Sequence, residues 1–331
     1  MPALVTGASG FLGGRLAQVL MSRGEQVTVL ARTNSDLRHL DGLAGLRVVR
    51  GGLTESGPVR EAMREATHIY HCAAASTDWA RAEVYRESNV MGTETLLLAA
   101  QESHALQRFV HVSTTDVYGY PAKPCTEAGE LLDVGLPYNR TKILAEKAVW
   151  HAAREEGLPV TVLRPATIYG PRGKAFVTDI AELLRTREMA NIGGGRAKGG
   201  FLYVDNAVEA MIAAAHSPAT LGQAYNLSDG TGVSWKEYMV ALADELGLKH
   251  PWIDLPYGVA MAVAAAMEAP YRCVRALRGR PLLTRHAVYL LGRDQEFPCD
   301  KARAEFGFTS RVSFAEGIAE SAAWVKRTGR N

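Results

Sequence analysis

Tyr138 and Lys142, in the stretch YNRTK, stand four residues apart between Pro137 and the helical pattern ILAEKAVWHAAREE. Residues at that spacing share one helical face, so a phenol and an ammonium become neighbours. A tyrosine with a pKa of about 10 is a poor acid–base group at neutral pH, and a nearby ammonium draws it toward the working range. The lysine keeps spare donors for a sugar hydroxyl. A third group, a hydroxyl that donates to a substrate oxygen, is available upstream. HVSTTDVYG closes an apolar strand pattern with Ser113, Thr114 and Thr115. Together these groups suit proton transfer at a carbonyl or alcohol oxygen.

Such chemistry needs a hydride carrier, and TGASGFLG offers a place for one. Gly7, Gly10 and Gly13 form a G-x-x-G-x-x-G frame between a strand and a helix. The first glycine permits a tight turn, the second a close approach to pyrophosphate, the third close packing of helix on sheet. The helix N-terminus adds free N–H groups, so Ser9, Phe11 and Leu12 belong to the expected cofactor site. An acid at the end of the second strand would bond the ribose 2′-OH of NAD. Here VTVLARTNSD has Ala31 in that place and Arg32 after it. A guanidinium suits a 2′-phosphate, so NADP is expected, with NAD as the alternative and Asp36 as an unusual ribose partner.

The elements that must position these groups alternate. ALVTG, QVTVLA, LRVVRG, HIYHCA, RFVHVS and PVTVLRP read as strands. Residues 11–23, 59–66, 84–103 and 137–156 read as helices. That rhythm predicts an α/β, doubly wound parallel (Rossmann) sheet with helices on both faces. After Pro165 it breaks into turn-rich YGPRGK and GGGRAKGG, and from Val233 the chain is mostly helical. The expected division is a cofactor domain over 1–170, rejoined by 200–228. A smaller, mostly helical substrate domain spans 171–199 and 229–331. QAYNLSD would add a strand to the sheet, and Asp205 would cap the helix in YVDNAVEA.

The formal charge of +2 gives no electrostatic case for nucleic acid. Cys72, Cys125, Cys273 and Cys299 form no C-x-x-C pair and read as reduced packing thiols, and no histidine spacing suggests a metal. The chain opens directly on strand-like residues, which leads us to expect a cytoplasmic protein. The apolar run from Gly258 to Met267 is about half the ~20 residues of a membrane span. With Arg272, Arg275, Arg278, Arg280 and Arg285 after it, the segment Gly258–Leu291 reads as a substrate lid, a peripheral membrane surface or a packed helix. Arg196 and Lys198 in GGGRAKGG are either contacts for an anionic substrate or parts of a flexible turn.

Beyond TGASGFLG and YNRTK, the motifs YHCAA, NVMGTETLLLAA, LRPATIYGPR and FLYVDNAVEA follow in order. Over nearly its whole length the chain resembles the extended short-chain dehydrogenases/reductases of the NAD-dependent epimerase/dehydratase superfamily. Within them it looks most like the 3β-hydroxysteroid dehydrogenase-like and hopanoid-associated reductases. The resemblance implies a catalytic Ser/Thr, Tyr and Lys. Aligning HVSTTDVYG by its VYG end puts Thr114 at the hydroxyl position, with Ser113 as runner-up. It implies that Asn89 holds backbone geometry near the active site. Ala73, Ala74 and Ala75 would run under adenosine and ribose, and Pro165 and Ile168 would border the cofactor. The family's adenine-binding Asp is replaced by Gly52, which leaves backbone near Leu53 for that task. Dehydratases need an Asp–Glu pair where this chain has Thr115 and Asp116, so dehydration is not expected. LRPATIYG has Arg-Pro where many sugar-nucleotide epimerases carry Phe-Asn.

These readings converge on an NADP-preferring reductase that interconverts a ketone and a secondary alcohol on a largely apolar small molecule. The alternatives are a sugar-nucleotide epimerase that retains NAD, and a non-catalytic NADP sensor, which would have no use for the Thr/Tyr/Lys set. The resemblance also implies a homodimer through helices 84–103 and 137–156.

Overall fold

Short runs of Val, Leu and Ile, apolar on both sides, build a parallel sheet covered on both faces. A computed structural model describes residues 1–273 and 279–329. Its strands are β1 (Pro2–Thr6), β2 (Gln26–Ala31), β3 (Leu46–Arg50), β4 (His68–His71), β5 (Arg108–Val112), β6 (Val160–Pro165), β7 (Thr167–Tyr169), β8 (Ala190–Ile192), β9 (Phe201–Tyr203), β10 (Gln223–Leu227) and β11 (Ile253–Leu255). The helices are α1 (Phe11–Ser22), α2 (Ser56–Met63), α3 (Ala82–Tyr85), α4 (Gly92–Gln101), α5 (Pro137–Glu155), α6 (Asp179–Arg185), α7 (Val204–His216), α8 (Trp235–Leu246), α9 (Tyr257–Cys273), α10 (Arg285–Gly292), α11 (Asp300–Phe306) and α12 (Phe314–Thr328).

Seven strands form the main sheet in the order β10-β6-β5-β4-β1-β2-β3. All neighbours are parallel, with Val5 beside Val29 and His71 beside His111. The chain winds outward from β1 to β3 and then returns to place β4 on the other side of β1. That reversal opens a crevice beyond the carboxyl ends of β1 and β4, where ligands bind in such sheets. Alternate side chains serve opposite faces: Val5, Val29 and Val110 pack under α1 and α7, while Leu4, Leu30 and Phe109 pack under α2, α4 and α5. QAYNLSD supplies β10 as expected, parallel to β6.

Two local expectations need correction. The helix foreseen over 84–103 is α3, a π-helical turn at Arg86–Met91, and α4. Asp205 does not cap α7, because the extended residue before that helix is Tyr203. Asp205 lies in the first turn instead, where its carboxylate accepts from Arg15 Nε (2.6 Å) and Nη2 (2.8 Å) of α1. An anion there also complements the helix dipole.

The later residues gather around an aromatic cluster of Tyr169, Phe201, Tyr203, Trp235 and Tyr238, closed by Ile318 and Ala322 of α12. Ser234 with Glu237, and Ser313 with Glu316, form reciprocal capping boxes that start α8 and α12. Among the described residues no helix is long and apolar enough to cross a membrane.

Candidate active site

Gly7 has φ +75°, a conformation that side chains disfavour, and a Cβ there would lie 2.8 Å from the Ala73 backbone. A Cβ on Gly13 would come within 2.6 Å of the Gly7 carbonyl. Gly10 precedes α1 with no side-chain capping bond, so the first N–H groups of that helix remain available to phosphate. The cradle therefore fits a dinucleotide. Phe11, Leu12 and Ile168 lie half-buried against one apolar cluster beside it, and Pro165 ends β6. Ala73 N donates to Thr6 Oγ1 (3.2 Å) and Ala75 N to Asn89 Oδ1 (2.7 Å), which ties the segment after β4 to the sheet and to α3–α4.

At the adenosine end, Arg32 is exposed beyond β2. Arg50 of β3 donates to the carbonyls of Arg32 (3.1 Å) and Ser35 (3.2 Å) and holds this loop. Asp36 is engaged by Arg38 Nη2 at 2.6 Å. Gly52 N donates to Glu55 Oε1 (2.8 Å), and Leu53 sits against Gly92 of α4.

Tyr138 lies in the first turn of α5, which begins at Pro137. The hydroxyls of Ser76 and Thr114 lie beside its phenol and act to lower its pKa. Burial, and next the Asp116 carboxylate, hold its pKa well above the usual tyrosine value. That is opposite in sign to the effect expected from Lys142, and the reason is geometric. Lys142 Nζ dips to the end of β5 and donates to Val112 O at 2.7 Å. Burial pulls the lysine down to about 8, against the raising influence of Glu146 and Cys72. The tyrosine thus remains a proton donor throughout the neutral range.

Ser113 and Thr114 are consecutive, and their hydroxyls have different partners. Ser113 Oγ donates to Glu146 Oε2 at 2.6 Å, turned toward α5's buried side. Thr114 faces Tyr138, and its Oγ1 accepts from Asp116 N (3.2 Å) at the start of a tight turn. Asn89 sits in the π turn, buried, and its Nδ2 donates to Thr141 Oγ1 (3.1 Å). Asn139, inside YNRTK, donates through Nδ2 to Asp116 O (2.7 Å) and Leu132 O (3.0 Å), fixing the loop that carries Asp116 to the start of α5.

Beneath the site, Arg164 of β6 pairs with Glu146 inside the protein. Glu146 also accepts from Trp150 Nε1 (3.1 Å), and Arg164 Nη1 donates to Tyr118 Oη (2.6 Å). His71 joins Thr6 (2.8 Å) to Thr93 (2.9 Å), and burial lowers its pKa to about 3, so it stays neutral.

The described parts of the segment foreseen as lid, membrane surface or packed helix fold over the loop after β4. Arg280 and Thr284 reach Asp78 (3.2 and 2.9 Å), and Trp79 meets Tyr271 edge to face. Buried Glu268 of α9 accepts from Arg285 N (2.7 Å) and Nε (2.9 Å) and from Arg272 Nη2 (2.8 Å), closing α9 onto α10. Arg275 and Arg278 lie outside the described residues. From α10, His286 stacks on the Tyr138 ring (centroids 5.6 Å, 22°), and its Nε2 bonds Asp116 Oδ2 at 3.0 Å. Tyr120 Oη donates to the same oxygen (2.9 Å). Lys198 pairs with Glu296, and its backbone N–H donates to Asp294 (2.9 Å), so it belongs to the turn that joins these elements.

Sequence reasoning missed Ser76, Tyr120, Glu268 and His286. Asp116 entered it only as half of a dehydratase pair. Its histidine partner lies 170 positions on, where no motif spacing reaches. Among the described residues no cluster of His, Cys, Asp or Glu could hold a metal ion.

Residues 3–228 match the NAD dependent epimerase/dehydratase family. The chain is 33% identical to a 4-hydroxy-2-methyl-3-oxo-4-farnesyl-3,4-dihydroquinoline-1-oxide ketoreductase of Stigmatella aurantiaca, over 96% of this chain and 95% of that protein. It is 32% identical to a 2-alkyl-3-oxoalkanoate reductase of Stenotrophomonas maltophilia, over 96% and 97%. The fold is that of a UDP-glucuronic acid 4-epimerase from Bacillus cereus, with a TM-score of 0.81 at 20% identity and full coverage of both chains.

Proposed function

The chain belongs to the NAD dependent epimerase/dehydratase family, and from that premise we propose that it reduces a ketone on a largely apolar molecule with NADPH. The observation that carries the reading is a buried phenol, beside the hydroxyls of Ser76 and Thr114 and stacked on His286 of the hairpin. A bound nicotinamide supplies the hydride. Tyr138 gives its proton to the carbonyl oxygen, and Thr114 orients that oxygen. The hydroxyl of Ser113 is committed to Glu146, which favours Thr114 for this role. Lys142 would hold the ribose, and Asn89 would keep the Ala73–Ala75 segment in place beneath it.

Relatives named for a 2-alkyl-3-oxoalkanoate and for a farnesyl-bearing 3-oxo compound join a ketone to long apolar groups, and this supports the substrate class. Arg32 and the absence of an acid after β2 support NADP, while Asp36 is already held by Arg38. Residues 1–170 with 200–228 would form the cofactor unit, and 171–199 with 229–331 the substrate unit. Exposed Val84, Met91 and Leu98 on α3–α4 and Leu144 on α5 support a homodimer through those helices.

The test is NADPH oxidation with long-chain ketones. Tyr138→Phe should lower kcat by at least about 100-fold while nucleotide affinity changes less than about twofold. Turnover near that of the wild type would overturn the assignment. Nucleotide released on denaturation separates the epimerase: near one equivalent of NAD per chain would favour it, and a mostly empty protein the reductase.

A further inference from the structure

Asp116 and His286 lie at the catalytic tyrosine, and the proton transfer just described uses neither. Both are buried, at 6% exposure each. A carboxylate only accepts, so the bond to Asp116 Oδ2 places a proton on His286 Nε2. Tyr120 donates to the same oxygen and stacks on Tyr289 of α10 (centroids 4.9 Å, 12°). The imidazole is therefore fixed in plane and in rotation. Its Nδ1 has no partner among the described residues, yet it is not sealed from solvent as the two unpartnered nitrogens of His111 are. An oriented imidazole, backed by a carboxylate on one nitrogen and stacked on the reacting phenol, leaves its second nitrogen for a polar ligand atom.

We propose that His286, positioned by Asp116, binds an oxygen-bearing acidic group that lies within a few bonds of the substrate ketone. This rests on the reductase reading and narrows its substrate class to ketones with a neighbouring carboxylate. Tyr138 takes the ketone oxygen, and His286, on the stacked ring, takes the carboxylate. In that complex both imidazole nitrogens donate, Nε2 to Asp116 and Nδ1 to the substrate carboxylate. The apolar remainder of the substrate then lies under α9 and α10. Because His286 travels on the hairpin, the same contact seats the hairpin against the catalytic turn.

The experiment compares a 2-alkyl-3-oxoalkanoate with the dialkyl ketone that carries hydrogen in place of its carboxylate, with NADPH oxidation as the readout. The wild type should favour the acid in kcat/KM by at least about tenfold, since a site built to bond a polar group rejects the analogue without it. In His286→Phe that ratio should collapse toward one, chiefly through KM for the acid. Asp116→Asn, which leaves His286 in place, should lower the ratio less, and NADPH binding by fluorescence confirms that each variant is folded. A wild-type ratio near one, or an undiminished ratio in His286→Phe, overturns the proposal while ketone reduction stands. If neither compound consumes NADPH, the reductase reading itself fails, and this inference with it.

Discussion

The carboxyl edge of the sheet and the α9–α10 hairpin meet at Tyr138, but different means hold them. The sheet edge is fixed by backbone: parallel ladders, a glycine turn with no room for a Cβ, and a helix that starts at Pro137. The hairpin is held to it by a few side chains, chiefly Glu268 within it and Asp78 and Asp116 across the gap. A backbone-built surface suits a cofactor that is the same in every turnover. One joined by a handful of polar contacts can be re-specified for a new substrate without disturbing the cofactor.

That contrast can be broken most sharply at Gly13. Gly13→Leu should abolish nucleotide binding, because even a Cβ would sit 2.6 Å from the Gly7 carbonyl; titration of the purified variant with NADPH checks this. Next in size is Glu146→Gln. It leaves Arg164 buried without its counter-charge and should cost about 3–5 kcal/mol, read from the urea midpoint. On the hairpin side, Glu268→Gln should raise the KM for ketone by about five- to tenfold and leave nucleotide affinity unchanged. Equal effects on both ligands would show that the two regions are one unit.

A last expected effect, read in the pH dependence of stability, concerns Lys142. Its pKa in the folded protein, about 8, lies below its ordinary value of about 10.4. Between these values the unfolded chain binds a proton that the folded chain has released, so this group makes stability rise with pH across that window. Lys142→Met should flatten that part of the stability–pH curve.

The same division explains what the sequence disclosed. Glycine spacing, strand alternation and a Tyr–Lys pair on one helical face are local patterns, and the doubly wound parallel sheet, the β1–α1 cradle and the position of Tyr138 follow from them. The direction of the Tyr138 shift was not legible, since it depends on burial and on Asp116 rather than on the nearest cation in sequence. Nor was the choice between Ser113 and Thr114, because Glu146 lies on a separate helix. His286 and Glu268 carry no local signature at all. Their partners are brought to them by the fold, and single-sequence periodicity does not encode such pairings.

The π-helical turn at Arg86–Met91 has a consequence for how this gene can vary. A π turn holds one residue more than an α turn, and Asn89, inside it, is buried between Ala75 and Thr141. Changing the spelling at exposed Arg86, Glu87 or Met91 keeps that extra residue. Losing one codon removes it and rotates the asparagine by about 100° around the helix axis. Met91→Ala should accordingly be nearly silent in turnover, and deletion of Met91 should not. Lineages descending from this sequence are free to drift in letters here, but not in length.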